Sequence, residues 1–206
     1  MKPAILWCCF GLSLLPAPFS LQLQTAQHSD AWKFAECSNV KGSEGVDVSD
    51  IGQRASFLNA TGRCMSRKDP NISALTLAED EGIIEDSYPA VRDFYMNRKY
   101  SEEDVAKIVA LAWTEFRWKH PAKQMSGLAF VQLSNSFGQL IVKSEPSGAT
   151  ISVDARAWEG PTNTTDWTDS GQRLVKLVKQ GCQPAEGKVT VPAGGSATFD
   201  RKLNCP

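Results

Sequence analysis

Between residues 102 and 119 the apolar positions Val105, Ile108, Val109, Ala112, Trp113 and Phe116 repeat at the three-then-four spacing of one helical face. Ser101 with Asp104 three residues on predicts a capping box at its start, and His120-Pro121 predicts its stop. Leu111 and Trp118, seven apart, fall roughly opposite the stripe. Upstream the pattern is weaker. Ala31 to Cys37 predicts one or two helical turns, and Ser49 or Asp50 caps a helix through Ile51, Ala55, Leu58 and Gly62. Residues 66–71 predict a turn, Ser73–Asp80 a short helix, and Pro89 the opening of another over Ala90–Met96. Pro121 is expected to start a further helix carrying Met125, Leu128, Ala129 and Leu133.

After Asn135 the period changes from helical to alternating. Leu140 and Val142, Ile151 and Val153, Leu174 to Val178, Val189 and Val191, and Ala197 to Leu203 predict four to five short strands, at spacings typical of a small sandwich. The boundary is expected near Ser134–Gly138. The fold class is therefore α+β with segregated halves: a helical domain over 31–135, then a small antiparallel β-sandwich over 139–206.

At the other end, residues 1–20 have the pattern of a secretory signal peptide: Lys2, an apolar stretch from Ala4 to Leu15, then Pro16 to Ser20. Cleavage after Ser20 or after Ala26 fits, and an uncleaved anchor is the alternative. The apolar run is shorter than the ~20 residues that span a bilayer. The expected location is the periplasm or the outside of the cell, with no membrane span after cleavage.

Cysteine usage agrees with export. Beyond the signal stand Cys37, Cys64, Cys182 and Cys205. An even number in an exported chain predicts disulfides, with three possible pairings. Cys37–Cys64 and Cys182–Cys205, one within each half, is the favoured one. No C-x-x-C remains and neither His28 nor His120 is near a cysteine in sequence, so no metal is expected. A net charge of −1 points to neither nucleic acid nor anionic lipid.

The segment Ser144 to Asp154 combines turn and strand chemistry. Pro146 fixes φ, Gly148 permits a backbone other residues resist, and Ile151 and Val153 alternate with Ser152 and Asp154. With its surroundings it resembles the PEGA domain, a small exported β-sandwich, over residues 139–205. The landmarks are Pro146-Ser147-Gly148-Ala149, Gly160-Pro161-Thr162, Ser170-Gly171, Lys179-Gln180-Gly181 and Ala193-Gly194-Gly195. Cys182 stands where the family has an aromatic, and Ala155–Ser170 is longer and more polar than the family's short turn. The resemblance implies an envelope module that spaces, stacks or binds partners, with no catalytic residues to carry over. Residues 32–137 resemble the periplasmic immunity proteins that block type VI secreted amidase toxins. The matching pieces are the helix ending at Cys37, the helix leading to Cys64, and Lys119-His120-Pro121-Ala122. That family's second cysteine pair is missing; Tyr95-Met96 and Ser136-Phe137 stand near those positions.

Catalysis needs a positioned pair, and neither histidine has one in the sequence; His120 reads as a helix-end residue. Glu79-Asp80-Glu81 and Glu85-Asp86 lack calcium-loop spacing and read as a solvated face. Asn59-Ala60-Thr61, Asn71-Ile72-Ser73 and Asn163-Thr164-Thr165 fit the glycosylation sequon, idle in a bacterial protein. Recognition is the favoured chemistry. Trp158 and Trp167 read as aromatics on a polar loop, suited to a sugar ring or a protein partner, with plugging of the sandwich end as the alternative. Trp118 is a third candidate, with packing against its neighbours as the alternative. The expectation is a non-enzymatic envelope protein without cofactor, whose partner is an envelope protein or polysaccharide, or else an inhibitor of a secreted amidase.

Overall fold

A computed structural model describes residues 34–38 and 46–206. The predicted signal segment and its cleavage sites, His28 and the Gly42–Gly45 loop lie outside the described residues. The helices are α1 (Ala35–Ser38), α2 (Ile51–Lys68), α3 (Ala74–Met96), α4 (Glu102–Lys119) and α5 (Gly127–Ser134). The strands are β1 (Phe137–Glu145), β2 (Thr150–Val153), β3 (Arg156–Pro161), β4 (Thr164–Asp169), β5 (Gly171–Val178), β6 (Ala185–Val191) and β7 (Ser196–Lys202). The layout is the predicted α+β, helices first and strands after.

The α4 expectation holds in detail. Its stripe is buried throughout. The Ser101 hydroxyl accepts from the Asp104 N–H, and the Asp104 carboxylate accepts from the Ser101 N–H. Asp50 caps α2 by accepting from the Gln53 N–H at 2.8 Å, but the helix runs on to Lys68 and so contains Cys64.

Three helical expectations are corrected. The two short helices around Pro89 are one, α3, with Pro89 inside it. Proline has no N–H for the carbonyl four residues back, a cost of roughly 3 kcal/mol. Yet Leu77, Asp80, Ile84, Tyr88, Val91 and Tyr95 are buried at helical spacing on both sides of it, so packing outweighs the local break. Pro121 opens no helix. Ser126 caps α5 instead, with Met125 buried ahead of it and Leu128 facing solvent.

The strands form two sheets, β4-β1-β7 and β3-β2-β5-β6. Pairing is antiparallel except between β1 and β7, which run parallel from Gln139↔Ser196 to Glu145↔Lys202. This departs from the all-antiparallel expectation. The chain switches sheets between β6 and β7, and its last strand lies along β1 in the same direction.

The Ala155–Ser170 segment is not a loop. It holds β3 and β4, the outer strands of the two sheets at one side of the sandwich. Asp154 and Ala155, both at positive φ, make the two-residue turn into β3. Thr162 and Asn163 carry the chain across to β4. There the Thr162 hydroxyl accepts from the Ala149 N–H at 3.0 Å and sits 2.6 Å from the Ser144 hydroxyl.

The proline-glycine motif lies beside that crossing. Gly148 takes φ 84°, a left-handed backbone that favours glycine. Lys179 Nζ donates to the Ser147 carbonyl at 2.7 Å. These residues serve the fold.

Two clusters make the core. One lies between the sheets, around Leu140, Val142, Ile151, Val175, Leu177 and Phe199. The other fills the helical half and reaches across the helix–strand boundary to include Phe137 and Trp167.

Candidate functional site

α4 and β4 meet edge on, and the side chains there define the junction. Asp104 has two duties. One carboxylate oxygen closes the capping box, and the other accepts from the Trp167 indole N–H at 3.2 Å. One turn on, Lys107 pairs with Asp166 at 2.6 Å. Asp166 also accepts from the Trp167 backbone N–H at 2.8 Å. The Trp167 ring lies edge-on to Tyr95, with centroids 5.4 Å apart, and to Tyr100 at 4.8 Å. Tyr95 in turn donates its hydroxyl to the carbonyls of Ser134 at 2.6 Å and Phe137 at 3.1 Å, pinning the helix-to-strand passage. Burial pushes the Tyr95 phenol well above its ordinary range, so it stays a donor at any physiological pH.

Further along α4 lies a cleft of about 50 Å³. Its apolar lining is Leu111 and Trp118 of α4, Phe137 of β1 and Trp167 of β4. Its charged lining is Glu115 and Lys119 of α4, Asp169 of β4 and Arg156 of β3. Lys119 Nζ donates to Glu115 one helical turn away. Burial, with the nearby Asp169 carboxylate second, holds the Glu115 carboxyl above the usual range against the pull of Lys119. Asp169 also lies 3.9 Å from Arg173 of β5.

The structure therefore brings two of the three predicted aromatics to one place. Trp118 and Trp167 line the same cleft, Trp118 half-buried and Trp167 with 5% of its surface exposed. The expectation of a loop tryptophan is corrected for Trp167. It sits on a strand, and its indole is spent on the junction between the halves. Trp158 is also on a strand rather than a loop. It is half-buried against the sandwich core, its Nε1 is buried without a hydrogen bond, and it is not among the cleft residues.

Both disulfides are the favoured pairs. Cys37–Cys64 clips α1 to α2, with Cα atoms 5.5 Å apart. Cys182–Cys205 ties the turn after β5 to the tail after β7, with Cα atoms 4.1 Å apart.

The acidic run is not a uniform solvated face. Asp80 is buried and accepts from Arg117 and from the Trp113 indole N–H at 2.8 Å. Glu85 accepts from Arg54 at 2.6 Å. The helical period of α3 turns Asp80 into the core and Glu85 toward Arg54 of α2. His120 caps α4 through its backbone N–H, with its ring 5.3 Å from Phe116. The described residues hold no group of three or more His, Cys, Asp or Glu side chains placed to bind a metal.

Sequence reasoning missed Glu115, Asp166, Asp169 and Arg156 as site residues, and it read Asp104 only as a helix cap. Glu115, Asp166 and Asp169 had one signal, proximity to Trp118 or Trp167; Arg156 had none.

Residues 137–205 match the model of the PEGA domain, which spans all seven strands. No curated protein matches the chain. A PEGA module and two disulfides fit an extracytoplasmic protein of a binding or positioning kind. Among the described residues no helix is long and apolar enough to cross a membrane.

Proposed function

We propose that this chain is an exported, non-enzymatic envelope protein that binds or positions a protein or glycan partner, and that the α4–β4 cleft is where it does so. The carrying observation is Trp118. It lies off the buried stripe of α4, remains half-exposed, and lines an open cleft with Leu111 and the carboxyls of Glu115 and Asp169. An amphipathic aromatic lining a small concavity is a usual anchor of a recognition site. The reading as a non-enzyme draws on the lack of catalytic residues in the PEGA resemblance and on the structural duty of His120 as a helix cap.

The test is a photo-crosslinking amino acid at position 118 in intact cells. A discrete crosslinked partner, lost when the crosslinker is moved to exposed Leu75, supports the reading. Equal products from both positions refute it. Fractionation of the same cells separates periplasm from medium.

The inhibitor reading, a helical half that blocks a secreted amidase, is favoured only by the Cys37–Cys64 clip and the helical layout. Purified chain either inhibits an amidase encoded beside it at stoichiometric concentration or that reading falls.

A further inference from the structure

The chemistry of the cleft lining narrows what can enter. A volume of about 50 Å³ seats the end of one side chain. Within the proposed binding role, the charge in the lining is what favours a polypeptide over a neutral glycan.

The lining joins apolar and charged groups: Leu111, Phe137 and the two indole rings, with the Glu115 and Asp169 carboxyls and the Lys119 and Arg156 cations beside them. Apolar walls suit methylenes, indole faces suit a cation, and carboxylates suit an N–H donor. One group joins all three properties: a primary ammonium on an alkyl stem. The molecule already carries an example, because the Lys119 ammonium sits on Glu115. Nearly half of the Lys119 side chain is exposed, so it is free to swing away. Of the other nearby cations, Arg156 on β3 already has a partner, and Arg173 on β5 is held by Asp154 at 2.9 Å and lies 3.9 Å from Asp169.

We infer that the α4–β4 cleft is a lysine-recognition site, in which a lysine side chain of a polypeptide partner lays its methylenes between Trp118 and Trp167 and places its ammonium on Glu115 and Asp169, displacing Lys119. The inference rests on the binding role proposed for this cleft. Lys119 is then a built-in competitor, and removing it strengthens binding. A merely structural ion pair has no such consequence. Binding also needs an ionised Glu115. Because burial and Asp169 hold that carboxyl protonated to higher pH than usual, affinity rises with pH through its titration. It falls again only where lysine loses its own proton, at about 10.4.

The probe is the tripeptide acetyl-Ala-Lys-Ala-amide, titrated in the millimolar range into the full isotope-labelled chain and followed by the indole and backbone resonances of Trp118. The expected result is a saturable shift. Affinity drops about tenfold or more when the lysine Nε is acetylated or when Glu115→Gln is introduced, the scale of one lost charge-assisted contact. It rises several-fold in Lys119→Met. An acetylated peptide that binds as well as the free one, a Lys119→Met variant no tighter than the parent, or no shift with the lysine peptide each overturns the inference. A simple hexose or an uncharged peptide that saturates the same resonances also overturns it, yet leaves the binding role standing. That role fails separately, in the position-118 crosslinking.

Discussion

Replacing Trp167 by alanine tests whether the helical and strand-rich halves are held by one shared core. The indole is almost wholly buried, and it joins the helical cluster from a strand of the sandwich. Truncating a buried tryptophan to alanine costs about 3–5 kcal/mol. The two edge-on tyrosine contacts place this site well inside that range, at about 0.5–1.5 kcal/mol each within the total. The hydrogen bond to Asp104 adds little beyond it, because the half-exposed carboxylate regains water when the indole leaves. The working figure is about 4 kcal/mol, which at a urea m-value of about 2.5 kcal/mol/M lowers the midpoint by about 1.5 M. Trp167→Phe keeps most of the ring and gives up the indole N–H, so about 0.5 M is expected on the same slope. The assay is equilibrium urea unfolding with the disulfides intact, followed at once by far- and near-ultraviolet circular dichroism. A Trp167→Ala midpoint within a few tenths of a molar of the parent would refute the shared core. So would a strand-rich transition left unmoved while the helical one shifts.

Three other perturbations separate structural from functional roles. Asp80→Ala strands the buried Arg117 guanidinium and should cost about 3–5 kcal/mol. The double variant Asp80→Ala with Arg117→Met should recover much of that, and additive losses in the same urea assay would contradict the pairing. Glu115 has a raised folded-state pKa, so its share of stability is complete below the unfolded value and is lost as pH rises through the folded one. Glu115→Gln should therefore gain stability relative to the parent between pH 4 and pH 7. A difference that is flat or of opposite sign over that window excludes the assigned shift. Gly194, at φ 63°, brings the β6–β7 turn against α3, where an added Cβ would lie 2.6 Å from the Phe94 ring and 2.8 Å from Arg98 Nε. Gly194→Val should thus destabilise by about 1–3 kcal/mol, read as a lower melting temperature; an unchanged value would mean that the turn and α3 do not touch.

What the sequence made legible follows from how local each determinant is. α4 could be read whole, because its stripe, its capping box and its proline stop all lie within its own residues. The α2 cap was legible to within one residue, Ser49 or Asp50, for the same reason, and the disulfides because each pair lies within one half of the chain. Pro89 misled because its local signal is a helix start, while the force that keeps α3 continuous is burial by residues distant in sequence. β3 and β4 were missed because outer strands bury only one row of side chains. Thr164, Thr165, Asp166 and Thr168 read as a polar loop, and only Trp167 faces the core. The cleft was half legible. Trp118 stood out by falling off the stripe of its helix, and Trp167 by being aromatic in a polar run. The carboxyls facing them come from two elements that the fold alone brings together.

The same geometry gives the helical half a role at the edge of the sandwich. An outer strand presents unpaired backbone groups that invite another chain. On β4 that edge is blocked from two sides. The Trp167 N–H is taken by the Asp166 side chain, and Asp166 is held by Lys107 of α4. The helix therefore guards the edge near its N-terminus, where Asp104, Lys107, Asp166 and Trp167 interlock. Toward its C-terminus, from Leu111 to Lys119, the helix lines the cleft. One helix thus covers the sheet edge at one end and lines a concavity at the other. Tight contact at one end fixes the position of Trp118 at the other, which is the rigidity a small recognition site needs.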